Sequence, residues 1–242
     1  MSQSEILKRA TNPKQYDSQD LEWSLEASME SPRTQFLWEY LRGYVTEWKG
    51  KRVLDIGSGD GWLLAQALMA GASCAIGVEP STHNVALSKK LNPDIEVFET
   101  SFEEYQIIKN SADIALGILS FSHIKNLQEV LVKIEDILSV NGELFLIVPD
   151  FIHFKKPRRK YKIEFEDLSA EEYVVSITRP SGTIADIVRT NSIYVEAAKK
   201  AGLDLVEVIP MLPTEKFMTQ YSDLREFEGH PIMQLLRFRK SV

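Results

Sequence analysis

Asp55-Ile56-Gly57-Ser58-Gly59-Asp60-Gly61 sets three glycines in a G-x-G-x-G spacing beside two carboxylates, a combination suited to holding a cationic ligand against bare backbone. Glycine lets the chain turn sharply and approach a ligand closely. A dinucleotide loop spaces its glycines as G-x-G-x-x-G and offers a pyrophosphate the N-terminus of a helix. Here Asp55 and Asp60 would confront that pyrophosphate with like charge. A ligand with a positive centre, a carboxylate for the backbone N–H groups and no phosphate avoids the conflict. Val53, Leu54 and Ile56 suit a strand covered on both faces. Trp62 to Ala70 then runs as a helix that Gly71 terminates.

Glu79 closes a second strand, Cys74-Ala75-Ile76-Gly77-Val78, about 20 residues after the loop, where a carboxylate binds a ribose diol in βαβ units. Loop and carboxylate together select S-adenosylmethionine, a sulfonium with an amino group, a carboxylate and an adenosine. Glu79 on its own also fits a solvated strand-end acid. Two further readings stay open: an NAD(P)-dependent oxidoreductase, and a non-catalytic cofactor-binding module of the same fold.

Val53–Gly61, Glu79-Pro80-Ser81, Ser101-Phe102 after a third strand, and Asp113–Gly117 followed by His123 stand in the order of the motifs of class I S-adenosylmethionine-dependent methyltransferases. Over about residues 30–150 the chain resembles that family, and within it the small-molecule group related to the ubiquinone and menaquinone methyltransferases. The resemblance implies S-adenosyl-L-methionine as cofactor, S-adenosyl-L-homocysteine as product, and in-line methyl transfer to O, C or N of a small organic molecule. It implies that Gly57, Ser58, Gly59 and Gly61 line the methionine portion and that Asp55 orients the loop or the amino group. Glu79 and Pro80 fall at the ribose, Ser101 and Phe102 at the adenine, and Gly117 and Leu119 at the sulfonium. Many relatives carry Asp where Ser101 stands. Tyr16 and Arg33 precede the first strand as a Tyr and an Arg do in many relatives, and are candidates for the methionine carboxylate.

Transfer from a sulfonium needs chiefly orientation, worth about 7–11 kcal/mol. An acceptor that keeps its proton needs a base as well. His123, after the fourth strand, is the candidate; the structural alternative is a histidine that holds its loop. Gly117-Ile118-Leu119-Ser120 replaces the Asn- or Asp-Pro-Pro-aromatic motif in which amino-methylating enzymes of nucleobases resemble one another, and Cys74 is misplaced for cytosine C5 chemistry. No His/Cys cluster has zinc spacing, so no metal is expected.

These residues need a scaffold of alternating strands and helices. Strands are expected at Val53–Ile56, Cys74–Val78, Ile95–Phe98, Asp113–Gly117, Leu144–Val148 and Leu203–Ile209, with helices near 62–70, 82–90, 102–108, 127–139 and 192–201. Ser31 and Pro32 open an earlier helix whose apolar residues, Phe36 to Trp48, cover the sheet. Resemblance adds an antiparallel last strand, Ile232 to Arg239. The expected fold is α/β, Rossmann-like, a mostly parallel seven-stranded sheet with helices on both faces and a β-hairpin insertion at Tyr173–Arg179 and Thr183–Arg189. One domain is expected: an N-terminal lid and helix (1–50), a cofactor core (51–149), a hairpin insertion (150–190) and the rest of the sheet (191–242). The hairpin, the 211–230 connection and the N-terminal segment are expected to form the acceptor lid.

The 242 residues, 44% hydrophobic, suffice for one substantial core. A net charge of −7 argues against a nucleic-acid partner, because such binding rests on neutralising phosphates. The run Lys155 to Lys162 is basic, but Glu164, Glu166, Asp167, Glu171 and Glu172 follow at once, so a solvated loop is expected. A lone cysteine, Cys74, in a strand reads as a buried thiol in a reducing compartment. The longest apolar run, Ile114 to Phe121, falls far short of the ~20 residues of a spanning helix. A cytoplasmic location follows as an expectation.

Overall fold

Residues 3–17, 31–156, 162–179 and 182–241 are described in the computed structural model of the chain. In chain order the elements are α1 (Gln3–Ala10), α2 (Pro32–Tyr44), β1 (Arg52–Ile56), α3 (Trp62–Met69), β2 (Cys74–Glu79), α4 (Thr82–Leu91), β3 (Glu96–Glu99), β4 (Ala112–Ile118), α5 (Leu127–Ile137), β5 (Leu138–Pro149), α6 (Phe151–Phe154), β6 (Lys162–Asp167), β7 (Glu172–Arg179), β8 (Gly182–Arg189), α7 (Asn191–Lys200), β9 (Leu203–Met211), α8 (Glu215–Gln220) and β10 (Met233–Lys240). Short 3-10 turns lie at Pro13–Tyr16, Phe121–His123 and Ser222–Phe227.

The main sheet runs β3-β2-β1-β4-β5-β10-β9. Every pairing is parallel except those of β10, which is antiparallel to β5 and β9. The expected Rossmann-like seven-stranded sheet is therefore present. Its strands are apolar throughout because successive side chains enter different cores. Val53, Ile114, Leu116, Phe145, Ile147 and Leu235 pack beneath α2 and α3. Leu54, Ile56, Ala115, Leu144, Leu146 and Leu236 pack beneath α5 and α7. Ser31 caps α2 by accepting from Thr34 N at 3.1 Å, with Pro32 in the first turn. The chain leaves β1 toward β2 and β3 on one side and returns as β4 and β5 on the other. The carboxyl ends of β1 and β4 thus face a topological switch point, the usual ligand crevice of such sheets.

Several elements differ from expectation. No helix forms at 102–108. Lys133 Nζ donates to the carbonyls of Phe102 and Glu103 at 2.7 and 2.9 Å, oxygens that a continuing helix would use. The charged lead-in at 162–167 is the strand β6, and the hairpin is part of a three-stranded sheet β6-β7-β8. Its signal was the alternation of Ile163 and Phe165 with Lys162, Glu164 and Glu166. Within 211–230, α8 and a 3-10 turn form and pack against α2, with Phe217 stacked on Phe36 at 4.6 Å. Cys74 is half-buried, because it opens β2 at the sheet's rim.

The small sheet lies over the crevice. Ile6 and Ala10 of α1 bury against Val174, Ala185 and Ile187 on one of its faces. Tyr173, Val175 and Val188 on the other pack with Phe151 and Phe154. In the basic run, residues 157–161 fall outside the described residues. Lys155 pairs with Asp167 at 2.8 Å and Lys162 with Glu164 at 2.9 Å, the local compensation expected there.

Candidate cofactor and acceptor site

Tyr16, Arg33, Asp55, Gly57, Ser58, Gly59, Glu79, Pro80, Ser101, Phe102, Leu119 and His123 line one cavity of about 480 Å³. Sequence had singled out each of them. Gly61 and Gly117 lie off its walls; Gly61 needs glycine for its left-handed φ of +78° as well as for space, and Gly117 for space. A Cβ on Gly61 would sit 2.6 Å from Ser88 Oγ, and one on Gly117 would sit 2.4 Å from the Phe121 ring. The 211–230 connection, expected at the acceptor, is packed on α2 and contributes no residue to the cavity lining, whereas the small sheet, Thr11 and Tyr16 do.

The glycine loop is tied down from two sides. Glu79 Oε2 accepts from Gly59 N at 2.9 Å, and its Oε1 accepts from Ser81 N at 2.9 Å and Asn84 Nδ2 at 3.4 Å. Ser120 Oγ donates to Ile56 O at 2.5 Å. Gly57 has φ +75°, and a Cβ there would meet Ser120 Cβ at 2.4 Å, so only glycine lets the two loops touch. Leu119 also adopts a left-handed conformation, φ +60°, costly for a bulky side chain and held by its N–H to Ile147 O at 2.8 Å.

Three carboxylates converge under this loop. Burial pushes the Asp55 carboxyl up to about 8, reinforced by the charges of Glu79 and Asp60. Burial likewise raises Asp60 to about 6, although Trp62 N–H donates to it. Burial raises Glu79 too, and its N–H donors oppose the rise. Asp55 Oδ1, Asp60 Oδ2 and Ser58 Oγ are buried without a hydrogen-bond partner among the described residues. Such orphaned acceptors call for a ligand with cationic and donor groups. A ligand with an ammonium, a sulfonium and a ribose diol supplies them, so the residues present fit S-adenosylmethionine. Among the described residues, no group of His, Cys, Asp and Glu side chains is placed to hold a metal ion.

The rest of the cavity has a different chemistry. Pro149, Phe154, Ile163, Ile177, Ile184 and Met233 give it apolar walls, and Tyr16, His123 and Asp186 form its polar edge. Tyr16 Oη meets His123 Nε2 at 2.5 Å, and Asp186 Oδ1 lies 3.3 Å from the same nitrogen.

Sequence reasoning missed Asp186 and Arg189. Period-two alternation on β8 places Asp186 on one face with Ile184 and Val188, and Arg189 on the other with Ala185 and Ile187; a charge at an apolar-face position was the available signal. Arg189 is 3% exposed and donates to Glu172 Oε1 at 2.6 Å, Phe121 O at 3.1 Å and Ile124 O at 2.9 Å. It thereby fastens the turn carrying His123 to the small sheet. Arg189→Met should lower unfolding free energy by about 2–4 kcal/mol, since it leaves two buried carbonyls and a carboxylate without their donor. Urea denaturation with an unchanged midpoint would show that the turn holds without it.

Residues 31–208 match the methyltransferase domain family. Among curated proteins, the tRNA U34 carboxymethyltransferase of Dichelobacter nodosus is 31% identical over 107 residues, covering 42% of this chain and 31% of that protein. The protein of the same name from Pseudomonas savastanoi pv. phaseolicola is 32% identical over 114 residues, covering 43% and 35%. The matching segment thus spans about a third of each relative. Among solved structures, the S-adenosylmethionine dependent methyltransferase of Mesorhizobium loti superposes with TM-score 0.68 at 20% identity, covering 85% of this chain and 98% of that one. The [4+2]-cyclase SpnF superposes with TM-score 0.61 at 16% identity, covering 85% and 81%. At such identities the likeness is one of fold. The relatives' name overturns the expectation of a small-molecule acceptor and no nucleic-acid partner. Net charge summed over the chain was the wrong quantity, because phosphate contacts depend on the local charge of one face.

Proposed function

This chain belongs to the methyltransferase domain family, and on that premise we propose that it transfers a methyl group from S-adenosylmethionine to a base of a transfer RNA. When bound, S-adenosylmethionine supplies an activated methyl carbon on sulfur. The chain's own residues then have to position the acceptor, exclude water and move a proton. The apolar compartment beside His123 carries the acceptor reading. Its walls of Phe154, Ile163, Ile177 and Ile184 suit a planar heteroaromatic ring, and enzymes that modify bases draw the target base out of its stack into such a pocket. The name of the curated relatives supports tRNA as the source of that ring. Lys155 and Lys156 follow Phe154, and Lys162 precedes Ile163, so basic residues adjoin the mouth in sequence. A cytoplasmic location accords with this acceptor. No helix among the described residues is long and apolar enough to cross a membrane.

Methyl rather than carboxymethyl transfer is favoured by charge. Asp55, Asp60, Glu79 and Asp186 line the cavity, and Arg33 is the only Lys or Arg lining it among the described residues. A carboxymethyl group would bring one more negative charge into that acidic setting. Calorimetry with S-adenosylhomocysteine tests the cofactor. Incubation with deuteromethyl S-adenosylmethionine and unfractionated tRNA, followed by nucleoside mass spectrometry, tests the acceptor. Deuterium in a nucleoside is the expected result; cofactor binding with no labelled nucleoside from any tRNA would overturn the acceptor.

The basic run supplies a separate prediction. Arg158→Glu with Arg159→Glu should weaken tRNA binding and flatten its salt dependence by roughly 1–2 units of log–log slope, as expected when one or two phosphate contacts are lost. Filter binding between low and moderate salt reads the slope. An unchanged slope would take these arginines out of the interface.

A further inference from the structure

We propose that Tyr16, His123 and Asp186 form a proton relay that deprotonates the acceptor, with Tyr16 as the group that touches it. The proposal rests on the group-transfer reading above. The three side chains come from the 3-10 turn at Pro13–Tyr16, the 3-10 turn after β4, and the middle of β8, and all three line the cavity.

The hydrogen bonds fix where the protons sit. His123 Nδ1 is 3.0 Å from Ala10 O, an oxygen that can only accept, so in the neutral imidazole Nδ1 carries the hydrogen and Nε2 the lone pair. Gln15 Nε2 lies 3.2 Å from the same Nδ1, a donor facing a donor. Its amide is oriented instead by β8, where Ala185 N donates to Gln15 Oε1 at 2.9 Å and Gln15 Nε2 reaches Ala185 O at 3.4 Å. The hydroxyl of Tyr16 therefore donates to His123 Nε2 across 2.5 Å, approaching the ring edge with the two ring planes 79° apart. Asp186 Oδ1 lies 3.3 Å from that nitrogen and forms an ion pair with it once Nε2 is protonated. The imidazole is thus set to receive one proton, and the carboxylate to stabilise the imidazolium that results.

The step balances as follows. The acceptor is a ring N–H or an O–H of a base. As its heteroatom forms a bond to the transferred carbon, the carbon–sulfur bond breaks and its electron pair stays on sulfur. The acceptor's proton passes to Tyr16 Oη while the Tyr16 proton passes to His123 Nε2, leaving a neutral methylated acceptor and an imidazolium beside the Asp186 carboxylate. Return of that proton to water resets the relay. Among the described residues, Tyr16, Asp186 and, from the end of β2, Glu79 are titratable or charged groups that face His123.

The test uses ¹⁵N-histidine protein saturated with S-adenosylhomocysteine and read by long-range ¹H–¹⁵N NMR; the chain has four histidines. Neutral His123 should show its proton on Nδ1, and Asp186→Asn should slow label transfer to tRNA about tenfold, as the imidazolium loses the carboxylate beside it. Tyr16→Phe should slow label transfer to tRNA at least 100-fold at saturating S-adenosylmethionine. A proton on Nε2 of the neutral ring, or wild-type turnover by either Asp186→Asn or Tyr16→Phe, would overturn the relay. If no form of the protein labels tRNA, the acceptor reading fails on its own and the NMR measurements decide the relay. Asp186→Ser takes the place of the Asn variant if that variant does not fold.

Discussion

Glu79→Gln is expected to cut S-adenosylhomocysteine affinity by 10- to 100-fold or more, although the change removes only a charge and keeps the shape. Both carboxylate oxygens already accept N–H bonds, Oε2 from Gly59 and Oε1 from Ser81 and Asn84. An amide has one acceptor oxygen, so its NH₂ must face an N–H donor whichever way it is turned. One buried donor is left unsatisfied, at about 1–3 kcal/mol. The Gly59 bond is the one that holds the glycine loop, so the loss falls on the cofactor cradle as well as on the expected ribose contact. Glu99→Gln supplies the control. Glu99 ends the neighbouring strand, is exposed and accepts from Thr82 Oγ1 at 2.7 Å, so its substitution should leave affinity unchanged. Calorimetric titration of the two variants measures the contrast, and equal affinities would mean that Glu79 is not holding the loop.

Stability without cofactor should fall as pH rises, and cofactor affinity should climb over the same range. Burial raises the Asp55 carboxyl from 3.8 to about 8 and that of Asp60 from 3.8 to about 6. Between those limits the folded chain retains protons that the unfolded chain has released, so unfolding free energy decreases with increasing pH. The window runs from about 4 to 6 for both groups and on to about 8 for Asp55 alone. One fully coupled proton is worth about 1.4 kcal/mol per pH unit, which for a chain of this size is about 3–6 °C in Tm per unit. A cationic ligand reverses the sign locally, because its ammonium favours ionised Asp55. Affinity for S-adenosylhomocysteine should therefore rise up to tenfold per pH unit and level off near 8. Thermal melts from pH 5.5 to 8.5, with and without ligand, read both slopes. Asp55→Asn should flatten them; slopes that persist in that variant would place the proton elsewhere.

Legibility varied by element. The loop at Gly57–Gly61 and the carboxylate at Glu79 were legible because the glycine spacing and the strand-end acid are local in sequence. Sheet strands were legible because residues such as Val53 and Leu54 enter different cores, leaving an unbroken apolar run. β6 was hidden by its charges, since one of its faces meets solvent and only Ile163 and Phe165 carry the alternation. The absent helix at 102–108 depends on Lys133, some thirty residues away, taking its carbonyls. Local propensity has no access to such a competitor. Gly61 and Gly117 were expected to contact the cofactor, yet both lie off the cavity wall, and whether a ligand or a neighbouring side chain demands the space is a tertiary matter.

Sequence by itself determined the family, the cofactor and the residues expected beside it, because a cofactor loop is built from one strand–turn–helix unit whose residues are contiguous. It also marked His123. Tertiary structure alone decided what His123 faces: Ala10 and Tyr16 from the N-terminal segment and Asp186 from the small sheet, joined across sequence separations of 113, 107 and 63 residues. The apolar walls of the acceptor compartment come from β5, α6, β10 and all three strands of the inserted sheet. Their convergence follows from where that sheet lies over the switch point, and no spacing along the chain records a packing angle.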